Sequence, residues 1–267
     1  MLQIKTEDLA PEVPRMASIT LLAGRDKSGR GEPLPQLSVE AGQSLAVVGP
    51  TGSGKSELLS DIEQWADRDT VTGRRLVVSD GPTGRPHDGG GIVARLSQKT
   101  SFVMDSSVEH FLHIHAECRN RGQETIVEQT LDAANQLCGE PIRLGTSLQV
   151  LSGGQSRALM IADIAFISDA PVVLIDEIEN AGIDKLKALS ILSASDKPIL
   201  VATHDPILML MAPRRLVMRE GGMQRVIETS PEERERLAEL RRMDAHLCRA
   251  RDLIRAGDTL QEREPAL

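Results

Sequence analysis

Aromatic residues are nearly missing from this chain. Among 267 residues there is no tyrosine, one tryptophan (Trp65) and three phenylalanines (Phe102, Phe111, Phe166). The core must therefore be packed from Leu, Ile, Val, Met and Ala, and a site built on a stacking ring has few candidates. Cysteine is scarce as well. Cys118, Cys138 and Cys248 are odd in number and match no metal-ligand spacing, so they are expected to be free thiols in a reducing compartment. No apolar run reaches the roughly 18 residues that a membrane-spanning helix needs. The most apolar region, 158–175, is broken by Asp163, Ser168, Asp169 and Pro171. The first eight residues have neither a basic flank nor an apolar run, which predicts no secretory leader. Basic charge is outweighed: 31 Lys+Arg stand against 39 Asp+Glu, a net charge of −8. That balance argues against nucleic-acid binding through a wholly basic surface.

What remains, 40% hydrophobic and 26% charged residues, describes a soluble globular protein of one large domain or two small ones. Ile19–Ala23, the Gly/Pro/Ser-rich stretch Gly24–Pro35 and the residues after it read as strand, loop and strand at an edge. Leu45–Val48 is a short buried strand, and the helix after Ser56 has Leu58, Leu59, Ile62, Trp65 and Ala66 on one face. Arg75–Gly81 reads as strand and turn, Gly84–Gly91 as a Gly-rich loop, and Ser106–Gly139 as helical. A helix is predicted over Gly153–Phe166, a strand over Val172–Ile175, a helix over Ile183–Ser193, a strand over Pro198–Thr203, and a hairpin at Glu220–Gly222. Buried strands alternating with helices imply a mainly parallel sheet covered on both faces. The tail, Glu232–Arg255, is dense in charge and repeats Leu240, Met243, Leu247, Ala250 and Ile254 at 3-4 spacing. That stripe either packs back on its own domain or takes a partner helix.

Three segments point to phosphate chemistry. Gly49-Pro50-Thr51-Gly52-Ser53-Gly54-Lys55-Ser56 fits G-x-x-x-x-G-K-[ST] between a buried strand and an amphipathic helix. Glycines there let successive N–H groups point at phosphate oxygens, and the helix N-terminus adds its positive end. Lys55 is suited to the β- and γ-phosphates and Ser56 to Mg²⁺. Val172–Ile175 then delivers Asp176 and Glu177 at the C-terminal end of an apolar strand, where open parallel sheets bind ligands. Asp176 suits a Mg²⁺ contact, and Glu177 suits a base acting on the attacking water. Leu151-Ser152-Gly153-Gly154-Gln155 directly precedes a helix. By contrast, His110, His113 and His115 share no tight helical face and read as surface histidines.

Taken together, the three segments resemble the ATP-binding cassette (ABC) ATPases, and the resemblance extends over about residues 15–228. It implies a P-loop α/β fold of ABC type: a mainly parallel sheet core, an antiparallel β part at its edge and an inserted helical subdomain. Residues 1–229 would form the ATPase domain, with the helical subdomain at about 100–160, and 230–267 a charged helical tail. It also implies ATP and Mg²⁺ as ligands. Leu151–Gln155 resembles the signature that caps the γ-phosphate of a second subunit, so a homodimer or a pair with a paralogous subunit is expected. Gln98 resembles the Q-loop glutamine that senses metal and water, His204 the switch histidine, and Asp184 the D-loop aspartate at the dimer seam.

The sequence also departs from the family pattern. No aromatic residue precedes Trp65, so an aliphatic side chain or Arg25 must serve the adenine. Ile178 stands where transporters usually have proline, the segment before Asp184 is one residue longer, and Asp163 stands where arginine is common. The 53 positions from Gln98 to Leu151 leave room for a compact helical subdomain and no long coiled coil. The expected role is the ATPase subunit of a transporter with separately encoded membrane-spanning partners, cytoplasmic and peripheral on the membrane face. The alternative is a soluble cassette ATPase that remodels, or assembles a cofactor on, a protein partner.

Overall fold

The computed structural model describes residues 18–79, 93–97, 101–121, 124–177 and 182–260. Gln98, Ile178, the Gly84–Gly91 loop and the turn at Asp80–Gly81 lie outside the described residues. Two sheets form the frame. β1 (Ser18–Leu22) pairs antiparallel with both β2 (Gln36–Glu40) and β4 (Arg75–Ser79). The second sheet has the order β5-β6-β7-β3-β8-β9. It contains β3 (Ser44–Val48), β5 (Val93–Leu96), β6 (Val172–Asp176), β7 (Ile199–Ala202), β8 (Arg214–Arg219) and β9 (Gly222–Glu228). Its pairings are parallel except for the β8–β9 hairpin.

β7 throughout, β6 over Val172–Ile175 and β3 over Leu45–Val48 are apolar at successive positions because both of their faces are covered. Val172, Leu174, Leu200 and Ala202 face a core shared with the antiparallel sheet and with Leu58, Leu59 and Ile62 of α1 (Lys55–Glu63). Their alternates Val173, Ile175, Ile199 and Val201 face the helical layer. That layer holds α2 (Val108–Cys118), α3 (Glu124–Leu137), α4 (Gly153–Phe166), α5 (Lys185–Ser193) and α6 (Pro206–Met211). Period-two alternation thus divides each strand between two cores.

Several expectations need correction. The helical stretch 106–139 is two helices, and Asn120, at φ 52°, takes the left-handed turn that ends the first. α1 stops at Glu63 because Trp65 turns left-handed at φ 53°. α5 starts at Lys185, with Asp184 as its N-cap, accepting from the Leu186 and Lys187 amides. α6 was not read from the sequence at all, although Asp205-Pro206 is an N-cap followed by proline at the first helical position.

The tail forms α7 (Pro231–Ala256), opened by a capping box between Ser230 and Glu233 and closed by Gly257 at φ 87°. It packs against α6 and is held by Glu233 to Arg215 at 2.7 Å and by Asp244 to Lys185 at 3.1 Å. None of its residues is buried, and Met243, Leu247 and Ile254 of the stripe are exposed. Of the two readings of the stripe, packing back on the domain holds only in part: Leu240 and Ala250 are half-buried, while Met243, Leu247 and Ile254 are exposed.

Candidate functional site

The phosphate loop is shaped by glycines that nothing else could replace. Gly49, Gly52 and Gly54 take φ values of 153°, 77° and 98°. A Cβ on Gly49 would meet the Met218 carbonyl oxygen at 2.4 Å, and one on Gly54 would meet the Gly221 Cα at 2.7 Å. Gly54 is the N-cap of α1 and contributes no side chain to cap it, so the first-turn amides are left for a ligand. Ser53 Oγ is buried, with no hydrogen-bond partner among the described residues. A loop of this kind, with an orphaned hydroxyl inside it, fits a phosphate chain.

Three side chains from three elements meet over the loop. Lys55 is buried at the start of α1, and its Nζ donates to the carbonyls of Gly49 at 2.9 Å and Pro50 at 3.3 Å. The same Nζ lies 3.1 Å from His204 Nε2. An ammonium only donates, so this contact needs Nε2 as its acceptor. His204 follows β7, and its Nε2 stands 4.0 Å from Glu177 Oε1. Glu177 follows β6 and donates its amide to the Ala202 carbonyl at 3.0 Å. Its φ of 54° is a left-handed conformation that costs a non-glycine residue roughly 1 kcal/mol and clusters at functional sites. Neighbouring parallel strands thus bring His204 to the ammonium of Lys55 and Glu177 to His204.

The cavity around them is about 490 Å³. Thr51, Gly52, Ser56 and Glu57 line it from the loop, and Glu177 and His204 line it from the ends of β6 and β7. Arg25, Lys27, Val71 and Thr72 wall the other end. Val71 is 97% exposed, an unusual position for a branched apolar residue. Arg25 had been singled out from the sequence, but Val71, Lys27 and Thr72 had not. Their distance along the chain from the loop gave no signal. Lys27 Nζ donates to the Gly52 carbonyl at 2.7 Å, which joins the β1–β2 loop to the phosphate loop.

The remaining residues lie outside this cavity wall. Asp176 ends β6, and its Oδ2 accepts from Arg95 Nη2 at 3.1 Å. With the exposed hydroxyl of Ser56 it offers hard oxygen donors of the type Mg²⁺ takes. Ser152 caps α4: its Oγ accepts from the Gln155 amide at 3.2 Å, while Gln155 Oε1 accepts from the Ser152 amide at 2.9 Å. The hydroxyl proton of Ser152 and the amides of Gly153 and Gly154 are not used by that box. None of Leu151–Gln155 lines the cavity. A Cβ on Gly182 would lie 3.9 Å from Gly154 Cα, so the segment leading to Asp184 runs beside the start of α4. His115 pairs with Asp163 at 2.6 Å, which gives that aspartate a partner inside the helical layer. Among the described residues no group of three or more His, Cys, Asp or Glu could hold a metal ion.

A family profile described as ABC transporter matches residues 35–180. The chain is 48% identical over 258 residues to the uncharacterized ABC transporter ATP-binding protein MJ0121 of Methanocaldococcus jannaschii, covering 93% of this chain and 97% of that one. It is 30% identical over 206 residues to the macrolide export ATP-binding/permease protein MacB of Rhodospirillum rubrum, of whose length it spans 30%. The solved structure of CbiO1 from Clostridium perfringens, described as part of the ABC transporter complex cbiONQ, aligns with a TM-score of 0.59. At 18% identity over 90% of this chain and 99% of that one, the likeness speaks for the fold. A relative that runs almost the whole length of this chain decides the matter: the chain belongs to the ABC transporter family, as one of its ATP-binding, ATP-hydrolysing proteins.

Proposed function

We propose that ATP hydrolysis by this chain powers a membrane transporter whose membrane-spanning subunits are separate chains, with this subunit peripheral on the cytoplasmic face. Its near-full-length relative bears the name of an ABC transporter ATP-binding protein, and CbiO1 is described as part of a transporter complex. Among the described residues no helix is long and apolar enough to cross a membrane, which is consistent with membrane-spanning subunits on separate chains. In this reading residues 1–229 are the ATPase unit, with the helical insertion at about 100–160, and 230–267 are the tail.

One observation carries the catalytic assignment: Lys55, His204 and Glu177 converge over an uncapped helix start. Gly49–Ser56 cradles the phosphates, and Lys55 moves from its carbonyl partners to the β- and γ-oxygens. His204 donates a hydrogen bond to the γ-phosphate once its ring has turned from Lys55. Glu177, whose amide is bonded to the Ala202 carbonyl just past the end of β6, orients the attacking water and takes its proton. Ser56, Asp176 and Gln98 would hold Mg²⁺, which would supply Lewis-acid polarisation of the phosphate oxygens. Arg25 and Val71 replace the missing aromatic ring: the guanidinium stacks on one face of the base and the branched apolar side chain takes another. Leu151–Gln155 completes the site of a second copy or a paralogue, with Asp184 at the seam.

Glu177→Gln tests this assignment. The expected protein keeps ATP affinity within about twofold and loses hydrolysis by about 10²–10⁴, the range of a general base. Near wild-type turnover would remove Glu177 from the mechanism. Capture of partners from solubilised membranes and from cytosol in parallel tests the transporter role. Recovery of a soluble client alone, with no membrane protein, would replace it with ATP-driven remodelling or cofactor assembly.

A further inference from the structure

Arg95 stands at the third position of β5, three residues before Gln98. Its guanidinium reaches in two directions. Nη1 donates to Glu63 Oε2 at 2.6 Å, and Nη2 donates to Asp176 Oδ2 at 3.1 Å. Glu63 is the last residue of α1, whose first residues are Lys55 and Ser56. One side chain on β5 thus ties together the two described elements that hold metal-side candidates: α1 with Ser56 and β6 with Asp176.

The chemistry of the contact is directional. Asp176 has two carboxylate oxygens, and Arg95 engages only Oδ2. That hydrogen bond fixes the torsion of the carboxylate and leaves Oδ1 as the oxygen with free lone pairs. Arg95 and Asp176 are 24% and 17% exposed, dry enough for a charge-assisted bond to be held against water. Glu63, on the far side, keeps the guanidinium from turning toward the cavity as a competing cation. Carboxylates that ligate metals are themselves hydrogen-bonded, and loss of such an outer partner typically lowers metal affinity 10–100-fold.

We propose that Arg95 is a positioning residue for the metal ion, presenting Asp176 to it in a fixed orientation and coupling that orientation through Glu63 to the helix that bears Ser56. The inference rests on the reading of Asp176 as a metal-side ligand, and its test separates the two. Mn²⁺ serves as the probe, titrated by electron paramagnetic resonance into the full chain, in excess over a non-hydrolysable ATP analogue. Arg95→Met should weaken Mn²⁺ binding 10–100-fold, while affinity for the analogue in EDTA stays within about twofold of wild type. Arg95→Lys, with a single donor group and no fork, should fall between the two. Glu63→Gln, which keeps the fold-bearing arginine in place, should weaken the metal less than Arg95→Met does. It also carries the test if Arg95→Met does not fold. Asp176→Asn is the control. If it leaves Mn²⁺ affinity unchanged, Asp176 is not a metal-side ligand and the underlying reading fails. If Asp176→Asn weakens the metal but Arg95→Met and Glu63→Gln leave it unchanged, the positioning role alone is overturned. Tighter binding in Arg95→Met overturns it too, because Arg95 would then be a competitor of the metal.

Discussion

Arg74 is wholly buried, and its guanidinium is shared between two buried carboxylates, Glu32 at 2.6 Å and Asp61 at 2.8 Å. These partners hold its charge against the burial that opposes it and raise its pKa above the usual arginine value. Glu32 also accepts from the amides of Gly24 and Met223, and Asp61 accepts from Thr72. One cation therefore closes a polar knot beneath the nucleotide cavity. Arg74→Met should strand two buried carboxylates and lower unfolding free energy by about 3–5 kcal/mol, read from a denaturant midpoint. A loss below about 1 kcal/mol would mean that water reaches the knot. Lys197 makes the opposite case. Its Nζ donates to the carbonyls of Ile164 and Ser168, yet burial depresses its pKa to about 8, with Arg121 adding repulsion. Because the folded chain releases this proton more readily than the unfolded one, the penalty is complete below pH 8. It fades as pH rises from about 8 toward the ordinary lysine value near 10.4. Wild-type protein should therefore gain up to 2–3 kcal/mol, in order of magnitude, across that window. Lys197→Met should gain much less. Parallel pH profiles of the two proteins would overturn this account.

At the scale of elements, α7 behaves as two halves. The first is capped by Ser230 and clipped to the domain by Glu233 and Asp244; beyond residue 250 every described residue is exposed. Truncation after Arg251 should leave ATP binding, turnover and melting temperature unchanged. Truncation after Thr229 strips Arg215, only 9% exposed, of its carboxylate partner. That truncation should lower stability by about 1–3 kcal/mol while ATP still binds. Loss of nucleotide binding in a folded truncation would show that the tail belongs to the site. The same contrast explains what could be read in advance. α4 runs over Gly153–Phe166 as expected, because a Ser152–Gln155 box and a Gly-Gly start are local signals. β6 was legible because four consecutive apolar residues ending in two acids mark a covered strand. The pairing of β1 with β4 was not: it joins Ile19 to Val78 across two strands and a helix, and no local pattern encodes such a partner. Val71 escaped for the same reason, since only the fold brings it over the phosphate loop. The tail stripe left two readings open because 3-4 spacing reports a face and not what covers it.

For the whole molecule, the separation of Ser152 from the cavity sets the expected assembly. On the reading proposed above, the Ser152 hydroxyl and the Gly153 and Gly154 amides, which stand outside the cavity of their own chain, would meet the phosphate held by a second copy. ATP should therefore drive a head-to-tail dimer, and loss of the γ-phosphate should release it. Glu177→Gln protein should scatter light as a dimer with ATP and Mg²⁺ and as a monomer with ADP. Adding Ser152→Arg should abolish the dimer while the monomer still binds nucleotide. A double mutant that dimerises, or a trapped protein that stays monomeric even with its native partner, would exclude a composite site. The tip of the β8–β9 hairpin has a further consequence. Gly221 donates its amide to the Ser53 carbonyl at 2.9 Å, its own oxygen receives Arg74 at 2.6 Å, and its Cα fills the space beside Gly54. Its proton can exchange with solvent only when the phosphate loop lets go. Deuterium uptake at Gly221 is therefore a clock for the breathing of the empty loop, readable from a hairpin far away in the chain and without a label near the nucleotide.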